Sequence, residues 1–284
     1  MDLTFEGHEF ARYRPDATPR PHLDRLATVD GVQLLRVLDA PLPGGSDDHP
    51  HHRGIWWGHR NVNGADVWTE YPGHGSIVSH GDVTRTETSE VVDIAHEADW
   101  LDASGDVLLS EQRTIRAHRP NADGTQALDL EGTLIAGAGP VRLGDTKEAG
   151  LVAVRLAPSL EERRGGQIQT ATGAIGEAQA WGTPARWCAY SGLVGDAEVG
   201  LAVFDHPSNP RHPVRWHVRD YGLLAANPFG LSDFLGDGES DDLADGTMTL
   251  AIGERATFRY RLLTFRGAVD APSLDRHFER FADA

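Results

Sequence analysis

The sequence predicts an all-β protein of antiparallel strands with one short C-terminal helix. Apolar residues alternate at period two through the middle of the chain, as half-buried strands require. Glycine (32) and proline (16) are spread along all 284 residues, which is typical of short strands joined by tight turns. Helical spacing of apolar residues is confined to the C-terminal end. We therefore expect residues 1–284 to form a single β-sandwich domain.

The N-terminal part gives the weaker strand predictions. Residues 1–30 are polar and contain several prolines, so we expect an edge strand or an irregular arm. Residues 32–38 (VQLLRVL) form a strand candidate. The proline- and glycine-containing segment APLPGGSDD then ends that strand.

The middle of the chain predicts an antiparallel meander. The turn sequences DASGD and RPNADG separate segments that lack helical spacing. Leu128, Leu130 and Leu134 fall on one face at period two. The candidate strands here are 76–80, 83–88, 90–100, 107–117 and 127–136.

Further strands are expected at 151–156, 186–192 and 199–205. Between the first two, residues 158–180 form a polar, glycine-rich excursion. We expect a lid, a hairpin or a mobile loop there. Residues 232–246 are acidic and predict a solvated loop.

The C-terminal end combines a strand and a helix. Alternation in ATFRYRLLTFRG predicts a strand after a Gly-Glu turn. Asp270 is a plausible N-cap of the following helix. Leu274, Phe278 and Phe281 are spaced i, i+4 and i+7, so they give this helix one apolar face.

Charge and composition exclude several classes of function. The net charge of −17 argues against nucleic acid and anionic membranes, because both attract basic patches. Cys188 is alone, so no intramolecular disulfide can form, and we expect a core thiol in a reducing compartment. No signal peptide or long apolar run is visible, so we expect a cytoplasmic protein without a membrane span. GxSxG, P-loop, dinucleotide and CxxC motifs are absent.

Residues 47–70 (DDHPHHRGIWWGHRNVNGADVWTE) are the most unusual stretch. They hold four of the 14 histidines and three of the seven tryptophans. Dense aromatic and hydrogen-bonding groups are typical of the wall of a ligand pocket. The alternative is a structural knot whose histidines bind backbone carbonyls. A second polar and aromatic concentration spans 205–230, and we expect the two to converge on one cleft.

Three chemistries fit these residues. Two histidines two apart share one face of a strand, so His49 and His51, with His59, would be the ligands of a possible divalent metal. The sequence otherwise requires no cofactor. Acid/base catalysis would use histidines that titrate near neutrality, with Glu148 or Asp205 as carboxylate partner. Sugar recognition would use tryptophan faces, and we expect two of six tryptophans to face a ligand; the six are Trp56, Trp57, Trp68, Trp181, Trp187 and Trp216.

Two blocks resemble a known family. HPHHRGIWWGHRNVNGADVW (49–68) and FDHPSNPRHPVRWHVRDYGLLAANPFG (204–230) look like the signature blocks of the bacterial PmoA-type proteins, a family of unknown function. DTKEAGLVAVRL (145–156) is similar to a third block. The closing AIGERATFRYRLLTF resembles the last strands of galactose-mutarotase-like β-supersandwiches. These resemblances imply a carbohydrate-active protein that lays a sugar across a concave sheet, with histidines and a carboxylate as acid and base.

The resemblance directs the choice of site residues. We expect His52, Glu148, and His206 or His212 near the reacting centre, with Arg53 binding a hydroxyl or carboxylate. The further substrate-binding candidates are His51, Trp57, His59, Asn63, Arg215, His217 and Asn227. Epimerisation, elimination and hydrolysis remain open, as do a metal-dependent oxygenase or hydrolase and a non-catalytic sugar-binding protein. The partner would be a small sugar or sugar derivative, and a homodimer is plausible.

Overall fold

The computed structural model describes residues 1–38, 48–236 and 245–284. Its strands are β1 (Asp2–Phe5), β2 (His8–Arg14), β3 (His22–Leu26), β4 (Ile55–His59), β5 (Ser76–Glu87), β6 (Val91–Leu101), β7 (Val107–His118), β8 (Gln126–Ile135), β9 (Val141–Leu143), β10 (Ala149–Arg155), β11 (Gln167–Thr170), β12 (Trp187–Val194), β13 (Ala197–Asp205), β14 (Arg215–Arg219), β15 (Leu223–Asn227), β16 (Met248–Leu250) and β17 (Arg255–Arg266). Its helices are α1 (Glu177–Ala180), α2 (Leu231–Leu235) and α3 (Ala271–Ala282), with 3₁₀ turns at Pro158–Leu160 and Glu162–Arg164.

Two large antiparallel sheets face each other in this part of the chain. The seven-stranded sheet has the order β1-β2-β3-β4-β10-β15-β14, and the eight-stranded sheet has the order β11-β12-β13-β17-β8-β7-β6-β5. Apolar side chains from both sheets meet in one buried cluster. The predicted all-β antiparallel fold with a C-terminal helix is therefore confirmed.

The N-terminal region is more regular than the sequence indicated. Instead of a single edge strand or arm, β1, β2 and β3 form a meander at the edge of the seven-stranded sheet. Residues 32–38 do not form the predicted strand. They make only single bridges, Ala27 to Gln33 and Leu35 to Leu156, because the segment crosses from β3 to β10 without running along either. The segment APLPGGSDD lies almost wholly outside the described residues.

The meander from β5 to β8 matches the predicted alternation. Segments 76–80 and 83–88 belong to one strand, β5, whose pairing with β6 shifts between His80 and Thr84. The excursion 158–180 contains the two 3₁₀ turns, β11 and α1, and β11 pairs with β12 at the edge of the eight-stranded sheet. The predicted acidic loop begins with α2, and residues 237–244 lie outside the described ranges.

Helix α3 covers the outer face of the eight-stranded sheet. Leu274, Phe278 and Phe281 pack with Trp187 and Phe204 in an apolar cluster separate from the core. Asp270 is the N-cap residue, but its side chain makes no capping hydrogen bond. Among the described residues, no helix has the length and apolar character needed to cross a membrane.

The histidine- and tryptophan-rich stretch contains a central strand of the seven-stranded sheet. All five residues of β4 are buried, and β4 pairs with β3 and β10. Because side chains alternate across a strand, Trp57 points into the core while Trp56 lies on the outer face. Gly54 precedes this strand at φ +59°, where a Cβ would lie 2.0 Å from the Leu23 carbonyl oxygen.

A buried ion pair lies in the core beside Trp57. The Arg113 Nε donates to Glu111 Oε1 at 2.7 Å, and both side chains are fully buried. Trp100 Nε1 donates to the second Glu111 oxygen at 2.7 Å, and the Arg113 guanidinium lies 4.1 Å from the Trp57 ring centroid. The carboxylate is thus satisfied on both oxygens, as a charge inside a sandwich core requires.

We predict that Glu111→Gln destabilises the fold by about 3–5 kcal/mol, because Arg113 would keep a buried charge without its counter-ion. Urea unfolding would measure the loss. The matched control is Asp93→Asn, which breaks the exposed Arg116–Asp93 pair and should cost about 1 kcal/mol or less. Equal losses of unfolding free energy in the two variants would contradict the prediction, because burial of the core pair would then add no cost to its disruption.

Candidate functional site

The outer face of the seven-stranded sheet carries a small apolar floor. Trp56 on β4, Ala153 on β10, and Leu223 and Ala225 on β15 form a buried cluster with Trp68. The two alanines face outward between larger neighbours. Both are fully buried, so other side chains cover this part of the outer face.

A cleft of about 390 Å³, within the usual size range of small-molecule sites, meets this cluster at Trp68 and Leu223. Three segments supply its walls: residues between 49 and 71, the pair Lys147-Glu148, and residues between 217 and 223. The two polar-aromatic blocks of the sequence therefore meet here, as expected from the sequence.

The histidine segment forms a tight turn at one side of the cleft. His52 N–H donates to the His49 carbonyl at 2.9 Å, and His49 adopts φ +46°. The rings of His51 and His52 meet edge to face at 4.5 Å between centroids, and those of His49 and His52 stack at 4.8 Å. Three imidazoles are thus held against one another.

Buried arginines hold this turn from behind. Arg36 donates to the carbonyls of Asp48, His49 and His52 at 2.7, 2.8 and 2.9 Å. Arg20, fully buried, donates to the Thr69 carbonyl at 2.9 Å and to the His51 carbonyl at 3.4 Å. These guanidinium groups connect the turn to the sheet through the backbone, which leaves the imidazole rings to face the cleft.

Arg155 fixes the tautomer of His52. Its Nη1 lies 3.3 Å from His52 Nδ1, and its Nη2 donates to Asp48 Oδ1 at 2.8 Å. A guanidinium can only donate, so Nδ1 must accept. In the neutral ring the proton is then on Nε2. His52 can therefore offer an N–H donor to a ligand in the cleft.

The histidines of the site are held neutral. Burial, and then the Arg20 charge, lower the pKa of His51 to about 4. Burial, followed by the charges of His51 and Arg155, lowers the pKa of His52 well below its ordinary value. Burial and the Arg219 charge lower the pKa of His217 to about 3. At neutral pH all three can donate or accept hydrogen bonds without carrying charge.

Glu148 is the carboxylate of the cleft. Arg60 Nη1 donates to its Oε2 at 2.6 Å, while Oε1 accepts no hydrogen bond from the described residues. Its side chain is about one quarter exposed, at 26%. One carboxylate oxygen is therefore held in place and the other is available to a ligand.

Aromatic side chains complete the walls. The Asp66 carboxylate accepts hydrogen bonds from the N–H groups of Trp68 and Thr69 at 2.8 and 2.9 Å, and this turn places the Trp68 indole over Gly58. A Cβ at Gly58 would lie 2.9 Å from a backbone oxygen and 3.2 Å from that indole. Opposite, the Tyr221 ring stacks on His49 at 5.2 Å.

The far end of the cleft is cationic. His217 and Arg219 lie two residues apart on β14, so both side chains leave the same face of the strand. Lys147 lines the cleft beside them. Charged side chains line the cleft at this end, whereas the arginines at the histidine turn are buried behind its backbone.

The structure brings together only part of the predicted site. Of the four residues expected at the reacting centre, His52 and Glu148 line the cleft. His51 and His217, expected to bind substrate, line it as well. Trp68 is in its wall, whereas Trp56 is fully buried and stacks on His52, and the other tryptophans lie elsewhere.

His206 and His212 are not brought to the cleft. His212 Nδ1 pairs with Asp205 Oδ2 at 2.7 Å and its ring stacks on Phe278 of α3. His206 Nδ1 lies 2.7 Å from Ser208 Oγ, in a separate groove of about 650 Å³ on the eight-stranded sheet. The block 205–230 runs from one sheet to the other, so its first half fastens α3 and only its second half reaches the cleft.

Trp57, His59 and Asn63 also lie outside the cleft walls. Strand alternation turns Trp57 to the core. The His59 ring packs edge-on against Phe229 at 4.7 Å, and its Nδ1 accepts from Asn61 N–H at 2.9 Å. Asn63 bonds the Pro140 carbonyl and the Arg142 N–H, which ties its turn to β9.

Arg53, Arg215 and Asn227 make structural contacts instead of lining the cleft. Arg53 binds both carboxylate oxygens of Glu70 at 2.8 Å. Arg215 donates to the Gly182 carbonyl at 2.6 Å. Asn227 donates to the carbonyls of Thr146 and Lys147 at 3.0 and 2.8 Å, so it orients the segment that carries Glu148.

The candidate metal ligands do not form one set. His49 and His51 lie close, with ring centroids 5.7 Å apart, but His59 is buried away from the cleft walls. Within residues 1–38, 48–236 and 245–284, no three His, Cys, Asp or Glu side chains are grouped so as to hold a metal ion.

The sequence patterns did not identify the arginine and lysine side chains of the site. Arg219 stands two residues after His217, a spacing that places both on one strand face. Lys147 is next to Glu148. Arg36 and Arg155 each interrupt an apolar run, LLRVL and LVAVRL, and an arginine in such a run signals a buried charge with a structural task.

The family of the chain can now be stated. A family model matches residues 1–279. The chain belongs to DUF6807, a family of unknown function. The expectation of a family of unknown function is thus confirmed, although the match carries no PmoA label. No curated protein matches the sequence of this DUF6807 chain.

Solved structures resemble the fold at low sequence identity. A galactose 1-epimerase from Lactobacillus acidophilus NCFM is 10% identical, with a TM-score of 0.41, over 87% of this chain and 91% of that one. A polysaccharide lyase is 14% identical, with a TM-score of 0.35, over 94% of this chain and 33% of that one. With both TM-scores this low, neither likeness bears on substrate or chemistry.

We predict that stability falls as pH is lowered from 7 to 5. Burial lowers the pKa of His59 and of His217 to about 3, so the unfolded chain binds protons below about 6.5 that the folded chain does not. Each group then contributes roughly 2 kcal/mol of lost stability over this interval. In urea unfolding, His59→Asn should lose about 2 kcal/mol less than the wild type between the two pH values. An identical pH dependence would contradict the prediction.

Proposed function

We propose that the cleft binds a monosaccharide or a modified sugar and performs acid/base chemistry on it. The observation that carries the proposal is that one carboxylate, Glu148, lines the same cleft as the neutral histidines His51, His52 and His217 and the aromatic side chains of Trp68 and Tyr221. Such sites need both a proton acceptor and a neutral donor.

Sugar binding follows from the two kinds of wall. The faces of Trp68 and Tyr221 offer apolar surface to the C–H face of a ring. His51 and His217 line the cleft as neutral imidazoles, which can exchange hydrogen bonds with the hydroxyls of a sugar. A volume of about 390 Å³ accommodates one or two sugar rings.

Glu148 is assigned as the proton acceptor. Arg60 holds Oε2, which leaves Oε1 to take a proton from a substrate C–H or O–H. Asn227 fixes the backbone just before it, so the carboxylate keeps its direction. Acceptors of this kind typically contribute about 100-fold or more in rate.

His52 is assigned as a neutral donor. Because Arg155 occupies Nδ1, the Nε2–H can stabilise charge that develops on a substrate oxygen. Arg155 also opposes protonation of the ring, so His52 acts by donating a hydrogen bond. Epimerisation, elimination and hydrolysis all share this need for an acceptor and an oxygen-stabilising donor. The cytoplasmic location and the homodimer remain predictions alongside this proposal.

The test is a screen of aldoses, sugar acids and keto-sugars in D₂O, followed by proton NMR for lost C–H signals, new alkene signals or new anomers. With a converted sugar in hand, Glu148→Gln should lower turnover by about 100-fold or more, and His52→Gln by a similar factor. His206→Gln is the matched control, since this histidine lies outside the cleft, and it should leave turnover unchanged.

Two outcomes would overturn the assignment. Full turnover in both Glu148→Gln and His52→Gln, with circular dichroism showing intact folding, would place the chemistry elsewhere. Tight binding of a sugar without conversion of any sugar in the screen would make the protein a non-catalytic binder.

A further inference from the structure

Contacts with neighbouring side chains hold the cationic end of the cleft in a defined geometry. Arg219 Nη1 binds Glu177 Oε1 at 2.9 Å, and the guanidinium lies 5.4 Å from the Trp181 ring centroid. The contacts on two sides fix its plane, so its remaining N–H groups keep a defined direction. The Lys147 N–H donates to Asp233 Oδ2 at 2.7 Å, which holds the lysine backbone in place.

The balancing acids stand behind these cations. Glu177 and Asp233 are absent from the cleft walls, whereas Arg219 and Lys147 line the cleft with side chains 28% and 36% exposed. The chain carries a net charge of −17, so two cations side by side at one end of a cleft run against its overall composition. Lys147 Nζ pairs with Asp233 at 3.4 Å and Arg219 with Glu177 at 2.9 Å, so a ligand at this end meets the two cations and not their acids.

His217 supplies a second, independent sign of a ligand. Its side chain is buried, with the residue 4% exposed, and its Nδ1 has no hydrogen-bond partner among the described residues. Buried polar atoms are nearly always paired. His217, Arg219 and Lys147 all line the same cleft. Burial and then the Arg219 charge lower the pKa of this imidazole, while a hydrogen bond with the Lys147 backbone raises it.

We infer that the substrate is a sugar acid whose carboxylate lies at Arg219, Lys147 and His217. This inference rests on the proposed function and names the class of sugar. Arg219 offers paired N–H donors to a planar carboxylate, and Lys147 adds a second charge. Phosphate sites, in contrast, are typically lined by backbone N–H groups of glycine-rich turns or helix N-termini. This end is lined by strand and bend side chains.

The position of the base agrees with this placement. Glu148 directly follows Lys147 in the chain, so a carboxylate held at Lys147 brings the rest of the sugar towards the proton acceptor. The sugar ring would then lie against Trp68 and Leu223 of the cleft lining.

Isothermal titration of the full chain with matched ligands tests the inference. The acids are glucuronate and galacturonate, the neutral partners are glucose, galactose and the methyl ester of glucuronate, and the phosphate probe is glucose 6-phosphate. We expect an acid to bind at least tenfold more tightly than its neutral partners. Arg219→Gln should remove this preference. Arg119→Gln removes an exposed arginine outside the cleft and should keep the preference.

Each result has a defined consequence. Equal binding of acids and neutral sugars by the wild type overturns the sugar-acid inference and leaves the proposed function standing. Tighter binding of glucose 6-phosphate than of either acid overturns the carboxylate in favour of a phosphate. Binding of none of these ligands overturns both the inference and the proposed function. The wild-type comparison decides these cases even if Arg219→Gln fails to fold.

Discussion

The site depends on burying guanidinium groups behind a histidine turn. Arg20, Arg36 and Arg155 are buried charges, and each is stable there only because carbonyl oxygens and Asp48 accept its hydrogen bonds. The same bonds place the imidazoles at the cleft, and the same charges help to keep those imidazoles neutral. One set of interactions thus fixes both the geometry and the protonation state of the histidine side.

The two faces of the seven-stranded sheet have different roles. The strand period sends Trp57 to the core beside Arg113 and Trp56 to the outer face, where it stacks on His52 of the cleft wall. On β15, Leu224 and Ala226 face the core while Leu223 and Ala225 face outward, and Leu223 lines the cleft. Alternate residues of one strand therefore contribute to the core and to the cleft side of the sheet.

Strand alternation and helical spacing were sufficient to predict the all-β fold, the meander and α3 from the sequence, because those patterns are local. The meeting of the two polar blocks was also predicted. Their internal division was not, since His206 and His212 lie before β14 and only tertiary contacts place them at α3. Residues 32–38 have strand composition, yet they cross between neighbours and make isolated bridges. Such tertiary contacts and strand pairings depend on the whole fold, so a local sequence pattern does not predict them.

The short helix α1 has a consequence for how this cleft can change. It follows β11, an edge strand of the eight-stranded sheet, yet its Glu177 and the adjacent Trp181 hold Arg219 on the seven-stranded sheet. The two sheets therefore share one charged group through a connecting segment. The segment between β11 and β12 also adds Ala180 and Ala185 to the core, so the residues that orient Arg219 are anchored between the two sheets. If Arg219 binds the ligand as inferred above, changes in this segment would alter the charge preference of the cleft without touching a residue that lines it.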